Sequence, residues 1–280
     1  MYPTKKTCMI YKGDLKFTNI ENINKNEFET EFETEQVREI YNNYKSKPKI
    51  EMRIKYCEME NYEYLDLSKL ELDNNLLEDL FKLQKIIKIL GSIKFLDLSN
   101  NILTKYPDLS SYPNIQYLSI GYNNISGEII DNDRIELSCE YNKITLIKSK
   151  SLNKLSASNN LIIYIDVPNI NFMVINENKI DYIPSYSNLE YLECINNELV
   201  SINNMEKLEE LYIAYNKLVE LSNMPKLKIL NCTYNPINKI NYIPSLTLII
   251  CSTPKISSKF VVTNTTKIKK DYLIYLENKT

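Results

Sequence analysis

Apolar and polar positions alternate along the middle of this chain in a frame that returns every 18 to 22 residues. The frame reads L-x-x-L-x-L-x-x-N-x-L, and its first clear copy runs from Ile93 to Leu103. Its asparagine occurs eight times, at Asn101, Asn123, Asn142, Asn160, Asn178, Asn197, Asn216 and Asn235. Two apolar residues separated by one residue predict a short strand with one buried face. One strand cannot bury that face alone, so we expect the copies to stack as a parallel sheet.

The asparagine stands where the chain turns away from each predicted strand. Its side-chain amide can both donate and accept hydrogen bonds, so it can pair with backbone groups of the turn and of the neighbouring coil. Leaving such groups buried and unpaired costs roughly 1–3 kcal/mol per coil. We therefore predict that the eight asparagines form a structural ladder along the stack.

The segments that return the chain to the next strand are short, with only about nine or ten residues after each asparagine. Prolines recur two residues before the next copy, and proline disfavours helix. We expect extended or 3₁₀ backbone there. One longer helix fits between Asp73 and Gly91, after a degenerate copy that includes Leu65 and Leu67 and has Leu70 at the asparagine position.

This frame resembles the leucine-rich repeat family over about residues 60–256. The short repeats, the composition rich in Asn, Ile, Lys and Tyr, and the segments 106–112 and 125–130 resemble the leucine-rich repeat proteins of giant DNA viruses such as mimivirus. The resemblance implies an α/β fold: a leucine-rich repeat solenoid with a parallel concave β-sheet and a mostly irregular convex side. It also implies a non-enzymatic protein-binding scaffold.

Both ends of such a solenoid need a cap that covers their apolar edges. We expect an N-terminal cap or small β/α domain over residues 1–60, with strand or hairpin at Thr7–Phe17, helix at Lys25–Lys45 and strand at Lys49–Cys57. A degenerate first repeat with a helix follows over 61–92, and repeats fill 93–259. A C-terminal helical cap over 260–280 places a helix at Asn264–Asn278.

Composition then removes most enzyme classes. The chain has 280 residues, with 36 acidic and 34 basic ones and a formal net charge of −2, so neither nucleic acid nor an anionic membrane attracts it strongly. It has no histidine, which excludes mechanisms and metal sites that need imidazole. Its four glycines cannot supply a P-loop or a dinucleotide-binding loop. We expect no catalytic residues, no cofactor and no metal.

The six cysteines and the strand carboxylates have two interpretations each. Cys139, Cys194, Cys232 and Cys251 occupy an inward strand position, which favours core packing over a metal or redox pair. The carboxylates could supply a general acid and base, but an open sheet face does not desolvate them and so does not raise the pKa of either. The simpler interpretation is that these carboxylates are solvated or contact a partner.

The outward strand positions are the functional candidates. They lie two, four, six and seven residues after each repeat start and carry six acids, among them Glu136 and Glu140, against one base, Lys154. Aromatic residues commonly anchor protein interfaces, and acids select basic partners. The expected partner-binding residues are Tyr117, Tyr122, Phe172, Tyr191, Glu193, Glu210, Tyr212 and Tyr215. Tyrosine is abundant at 22 copies, so the same residues could instead only stabilise neighbouring coils.

The sequence thus favours a scaffold that binds a protein partner on its concave face, and the acidic residues of that face favour a partner with a basic patch. Two alternatives stay open: an adaptor that recruits an enzyme through residues 1–60, and a structural virion component. No secretory leader or membrane span is visible, so we expect an intracellular, non-secreted protein, in the host cytoplasm if viral. The oligomeric state is open.

Overall fold

Ten short parallel strands, one per turn of the chain, form the main sheet of the computed structural model, which describes residues 47–59, 61–221, 224–240, 243 and 245–251. The strands follow one another in the sheet in chain order. They are β1 (Tyr64–Asp66), β2 (Phe95–Asp97), β3 (Tyr117–Ser119), β5 (Glu136–Ser138), β7 (Lys154–Ser156), β9 (Phe172–Val174), β10 (Tyr191–Glu193), β11 (Glu210–Tyr212), β13 (Ile229–Asn231) and β15 (Leu248–Ile250). The predicted parallel solenoid is confirmed.

The register of the sheet matches the sequence frame. Leu65 of β1 pairs with Leu96 of β2, which pairs with Leu118 of β3, and the same holds for each later strand. In each of these ten strands the central residue is buried, and the first and third residues are mostly half-buried. The inward residues join the apolar residues of the return segments in one continuous core. Stacking the coils therefore buries the face that a single strand would leave exposed.

The return segments are extended, as predicted, and in two places they pair into small parallel sheets. One contains β4 (Ser126–Ile130), β6 (Lys143–Lys148) and β8 (Tyr164–Asp166), and the other contains β12 (Glu220–Leu221) and β14 (Lys239–Ile240). Their inward residues Ile129, Ile147 and Ile165 stand in register and are buried. Pairing also satisfies backbone groups that the short segments would otherwise leave without partners.

A helix, α1 (Lys47–Met59), covers the N-terminal end of the described stack, so the predicted strand at Lys49–Cys57 is wrong. The buried residues of α1 are Ile50, Ile54 and Cys57. Their spacing of four and three residues places them on one helical face rather than on a strand. Arg53 of the same helix forms an ion pair with Asp66 of β1, which fixes the helix against the first coil.

The helix predicted between Asp73 and Gly91 is present as two shorter ones, α2 (Asn74–Phe81) and α3 (Gln84–Leu90). Asp73 caps α2, because its carboxylate accepts a hydrogen bond of 2.8 Å from the backbone N–H of Leu76. Leu83 has extended backbone angles and separates the two helices. Each helix buries its own apolar residues in the core, which one continuous helix would not do for both.

Three predicted elements lie outside the described residues: the strand or hairpin at Thr7–Phe17, the helix at Lys25–Lys45 and the C-terminal helix at Asn264–Asn278.

Each asparagine of the ladder joins two coils through backbone hydrogen bonds. The side-chain amide of Asn178 donates to the carbonyls of Ile175 in its own coil (3.1 Å) and Ala157 in the preceding coil (3.0 Å). Its carbonyl oxygen accepts from the backbone N–H of Ile162, also in the preceding coil, at 3.0 Å. The seven remaining ladder asparagines make equivalent contacts to the preceding coil, for example Asn197 and Asn235. All eight ladder residues are buried.

Replacing Asn178 or Asn197 with leucine should lower the free energy of unfolding by roughly 1–3 kcal/mol, because a buried backbone N–H of the preceding coil, that of Ile162 or Ile180, loses its acceptor. Urea unfolding followed by circular dichroism measures the change. Asn204→Leu is the matched control, since Asn204 is exposed and its replacement should change stability by no more than about 0.5 kcal/mol. Equal urea midpoints for the ladder variants and the control contradict the assigned role.

Candidate protein-binding face

The outward residues of the ten strands form one continuous surface, the concave face. The first residues of neighbouring strands stand directly beside each other, as Phe172, Tyr191 and Glu210 do, and so do the third residues. Most of these side chains are half-buried by their neighbours and remain accessible from one side. Three clusters on or beside this face carry its aromatic groups and part of its acidic groups.

The acidic aromatic patch consists of Phe172, Tyr191, Glu193, Glu210 and Tyr212, on strands β9, β10 and β11. The rings of Phe172 and Tyr191 stack with centroids 4.4 Å apart and planes 10° apart. The ring of Tyr212 lies 5.6 Å from that of Tyr191 at 40°. These stacks hold three aromatic side chains rigidly across adjacent coils, at a spacing that offset or tilted ring pairs prefer.

Hydrogen bonds fix the two carboxylates of this patch beside the rings. The hydroxyl of Tyr191 donates to Glu193 (2.9 Å), and that of Tyr212 donates to Glu210 (3.1 Å). The side-chain amide of Asn176 donates to the other oxygen of Glu193 at 2.8 Å. Burial, with the nearby Glu210 as a second cause, raises the pKa of Tyr212 to about 12, and burial also raises the pKa of Tyr191. Both hydroxyls therefore stay protonated and keep donating.

A second cluster, the N-terminal aromatic stack, lies at the other end of the sheet. Tyr117 stacks on Phe95 with centroids 6.2 Å apart and planes 14° apart, and Phe95 contacts Tyr64 at 4.9 Å. Between this stack and the acidic aromatic patch, the third strand positions are serines: Ser119, Ser138 and Ser156. The third strand positions therefore carry shorter side chains here than in the acidic aromatic patch, whereas the first positions of β5 and β7 carry Glu136 and Lys154.

The third cluster follows the edge where each strand turns toward its asparagine. From the second coil onward, the residues at this edge, here called the rim, have positive φ between 54° and 58°: Asn100, Tyr122, Tyr141, Asn159, Glu177, Asn196, Tyr215 and Tyr234. Two pairs of tyrosines stack face to face there. Tyr122 and Tyr141 have centroids 4.4 Å apart, and Tyr215 and Tyr234 have centroids 4.2 Å apart, both at 16°.

The structure brings five of the eight predicted contact residues into the acidic aromatic patch and separates the other three. Tyr117 belongs to the N-terminal aromatic stack, and Tyr122 and Tyr215 belong to the rim. The stacking partners Tyr141 and Tyr234 share the rim position in sequence, so the repeat frame could have identified them. A tyrosine in the sequence does not indicate left-handed backbone, so the sequence analysis did not predict this conformation at the rim.

The charges of the face are unevenly compensated. Lys154 pairs with Glu136 in the adjacent strand at 2.5 Å. Within the described ranges, no ion pair involves Glu140, Glu193 or Glu210. The patch and the middle of the face therefore keep net negative charge.

The cysteines predicted at the inward strand position pack in the core, with Cys251 only partly buried against it. Cys139, Cys194 and Cys232 are buried, and burial raises the pKa of each thiol, which makes each a weak nucleophile. Over the residues that the structure describes, no group of three Cys, Asp or Glu side chains is placed to hold a metal ion. The same residues include no helix with the length and apolarity that crossing a bilayer requires.

Solved structures share this architecture. YopM, a leucine-rich effector protein from Yersinia pestis, aligns with a TM-score of 0.60 and 20% identity over 76% of this chain and 64% of its own. The leucine-rich repeat domain of a Shigella effector aligns with a TM-score of 0.50 and 17% identity over 72% of this chain and 83% of its own. No protein-family profile and no curated protein sequence matches the chain. The structural similarities show that its fold is a leucine-rich repeat fold.

Proposed function

We propose that this leucine-rich repeat chain is a non-enzymatic scaffold that binds a protein partner with a basic patch on its concave face. The observation that carries the proposal is the acidic aromatic patch. It combines three stacked rings with two carboxylates on one accessible surface. Rigid aromatic side chains are the residues that most often anchor protein interfaces, and they lose little conformational entropy when they are already stacked.

The charge of the patch supports a basic partner. Glu193 and Glu210 take their hydrogen bonds from neutral tyrosine and asparagine groups, so their negative charge is positioned but not neutralised by them. A lysine or arginine from a partner would supply the missing positive charge. Such complementarity raises the association rate and excludes acidic partners and nucleic acid.

The structural neighbours support the proposal of a scaffold, but they do not support a particular binding site or partner. Both YopM and the Shigella protein are effectors by description, and the similarity to them is one of fold. Fold alone does not fix function, so the proposal depends on the patch. The absence of enzymatic activity and the intracellular location belong to the same proposal.

The organisation of the chain and its resemblance to giant-virus proteins complete the proposal. We place a cap or small domain at 1–60, a degenerate repeat at 61–92, repeats at 93–259 and a C-terminal cap at 260–280. The Asn-, Ile-, Lys- and Tyr-rich composition favours a giant-virus protein that acts in the host cytoplasm.

Affinity purification with mass spectrometry from the native cell tests the proposal. The wild-type chain should retain a basic protein that two variants lose: Phe172→Ala/Tyr212→Ala, which removes anchoring rings, and Glu193→Lys/Glu210→Lys, which reverses the charge. Truncating an anchor residue typically weakens binding by about tenfold or more. A purified candidate then gives the affinity of each variant by calorimetry.

Matched changes away from the patch provide the controls. Tyr182→Ala removes an exposed tyrosine from a return segment, and Glu206→Lys reverses an exposed charge in another. Both controls should bind like the wild type. If the patch variants retain the same proteins as the controls while still folded, the concave face is not the binding site.

A further inference from the structure

The rim pair Tyr122–Tyr141 occupies a backbone conformation that tyrosine does not favour. Their φ angles are +56° and +54°, in the left-handed region that disfavours side chains other than those of Gly, Asn and Asp. Three other coils have the favoured asparagine at this rim position: Asn100, Asn159 and Asn196. Tyr122 and Tyr141 are nonetheless 53% and 48% exposed. Folding alone would be served better by asparagine, so these rings point to binding.

A carboxylate is held next to this pair. Glu140 directly precedes Tyr141, and its two oxygens accept hydrogen bonds from the hydroxyls of Ser138 (2.7 Å) and Ser156 (2.5 Å). Burial, Tyr141 and Glu140, in that order, raise the pKa of Tyr122. An ionised carboxylate offers about four acceptor sites, so two remain after the serine contacts.

Gly121 in the preceding coil leaves room for the carboxylate of Glu140. A Cβ atom on Gly121 would lie 2.9 Å from the Oε2 atom of Glu140, too close for both to keep their positions. Glycine at this position therefore keeps the carboxylate on its two serines. Seven of the eight rim residues are neutral, and the eighth, Glu177, is acidic, so none of these eight side chains pairs with Glu140 as a base.

From this arrangement we infer that Tyr122, Tyr141 and Glu140 form a seat for an arginine side chain of the protein partner, an inference that rests on the proposed function. A guanidinium group is planar, so it stacks on an aromatic ring while its N–H groups donate to a carboxylate. A lysine ammonium group pairs with the carboxylate but cannot stack in the same way. The seat thus selects arginine over lysine.

Fluorescence anisotropy with the full chain tests the seat. The probe is a fluorescein-labelled peptide of three Arg-Gly-Gly repeats, compared with peptides in which citrulline or lysine replaces every arginine. The wild type should bind the arginine peptide about tenfold more tightly than the citrulline peptide, because citrulline is neutral but of similar shape. The lysine peptide should bind with intermediate affinity.

Two substitutions locate the effect on the seat. Glu140→Gln removes its charge, and Gly121→Ala displaces Glu140 without changing any charge. Each should reduce the preference for arginine over citrulline to less than about threefold, and Tyr122→Asn/Tyr141→Asn should remove the preference for arginine over lysine. Glu206→Gln, at an exposed site in a return segment, should leave both preferences unchanged. Urea midpoints confirm that each variant is folded.

Equal binding of the arginine and citrulline peptides to the wild type overturns the inference, and so does an unchanged preference in folded Glu140→Gln. If affinity purification nevertheless yields a partner that depends on the acidic aromatic patch, the proposed function stands without the seat. If neither experiment shows binding, both fail.

Discussion

Replacing Arg134 with methionine should lower the free energy of unfolding by about 3–5 kcal/mol, because it breaks a buried charge network and leaves the carboxylate of Asp131 without its opposite charge. Arg134 is 1% exposed. Its Nε donates to Asp131 at 3.2 Å, and its other nitrogens donate to the backbone carbonyls of Tyr112, Leu109 and Ile115 in the preceding coil. One guanidinium group thus joins three carbonyls of the preceding coil to Asp131.

The acid of this network depends on the arginine as well. Asp131 also accepts hydrogen bonds from the hydroxyl of Tyr106 and from the backbone N–H of Asp133. Without Arg134 it would remain a largely buried carboxylate with no opposite charge beside it. Desolvation then disfavours its charged form, and the cost appears as lost stability.

Urea unfolding at pH 7 measures this prediction, and Lys154→Met is the control. Lys154 forms an ion pair with Glu136 in a more exposed setting, so its removal should cost no more than about 1 kcal/mol. The double variant Arg134→Met/Asp131→Asn should be more stable than Arg134→Met alone, because it also removes the orphaned charge. A loss below about 1 kcal/mol in Arg134→Met shows that the network contributes little.

Alkaline pH should produce the second large loss of stability. Burial raises the pKa of Cys57 to about 11 and raises the pKa of Cys139, Cys194 and Cys232 well above the ordinary value of 9.0. In the unfolded chain these thiols release protons near pH 9, whereas in the folded chain they keep them. The unfolded state is therefore favoured increasingly above pH 9, by about 1.4 kcal/mol per pH unit for each fully buried thiol.

Urea midpoints at pH 8, 9, 10 and 11 in the presence of a reductant measure this effect. Stability should be almost constant up to pH 9 and then fall steeply. Cys139→Ala/Cys194→Ala should fall less steeply, and alanine is compatible with this strand position because Ala157 occupies it in another coil. An unchanged slope in that variant excludes these thiols as the cause.

The repeat frame predicted the sheet because each of its signals is local and acts in the same way in every coil. The apolar alternation that places Leu96 and Leu118 inward is a property of a few residues, and the stacked copies share one register. The frame also placed Phe172, Tyr191 and Tyr212 on one face, since outward positions of neighbouring strands are neighbours in space.

Features that depend on contacts outside the frame could not be predicted in this way. Arg134 is charged, and its burial depends on Asp131 and on the carbonyls of the preceding coil, none of which the frame indicates. The segment Lys49–Cys57 precedes the repeats, and its few apolar residues fit a strand until Ile50, Ile54 and Cys57 are seen on one helical face. The stacking of the rim tyrosines depends on their left-handed backbone, which tyrosine does not signal.

The asparagine ladder has a direction, and this direction bears on how the chain folds during its own synthesis. Every ladder side chain bonds to the backbone of the coil before it, as Asn178 does to Ile162 and Asn216 does to Leu199. A nascent coil that leaves the ribosome therefore keeps an open backbone amide until the next coil emerges and supplies its asparagine. Because synthesis proceeds from the N-terminus, each coil is completed only when the following coil emerges. A stalled ribosome therefore presents one unfinished coil, whose sheet edge and one unpaired amide are exposed to the cell.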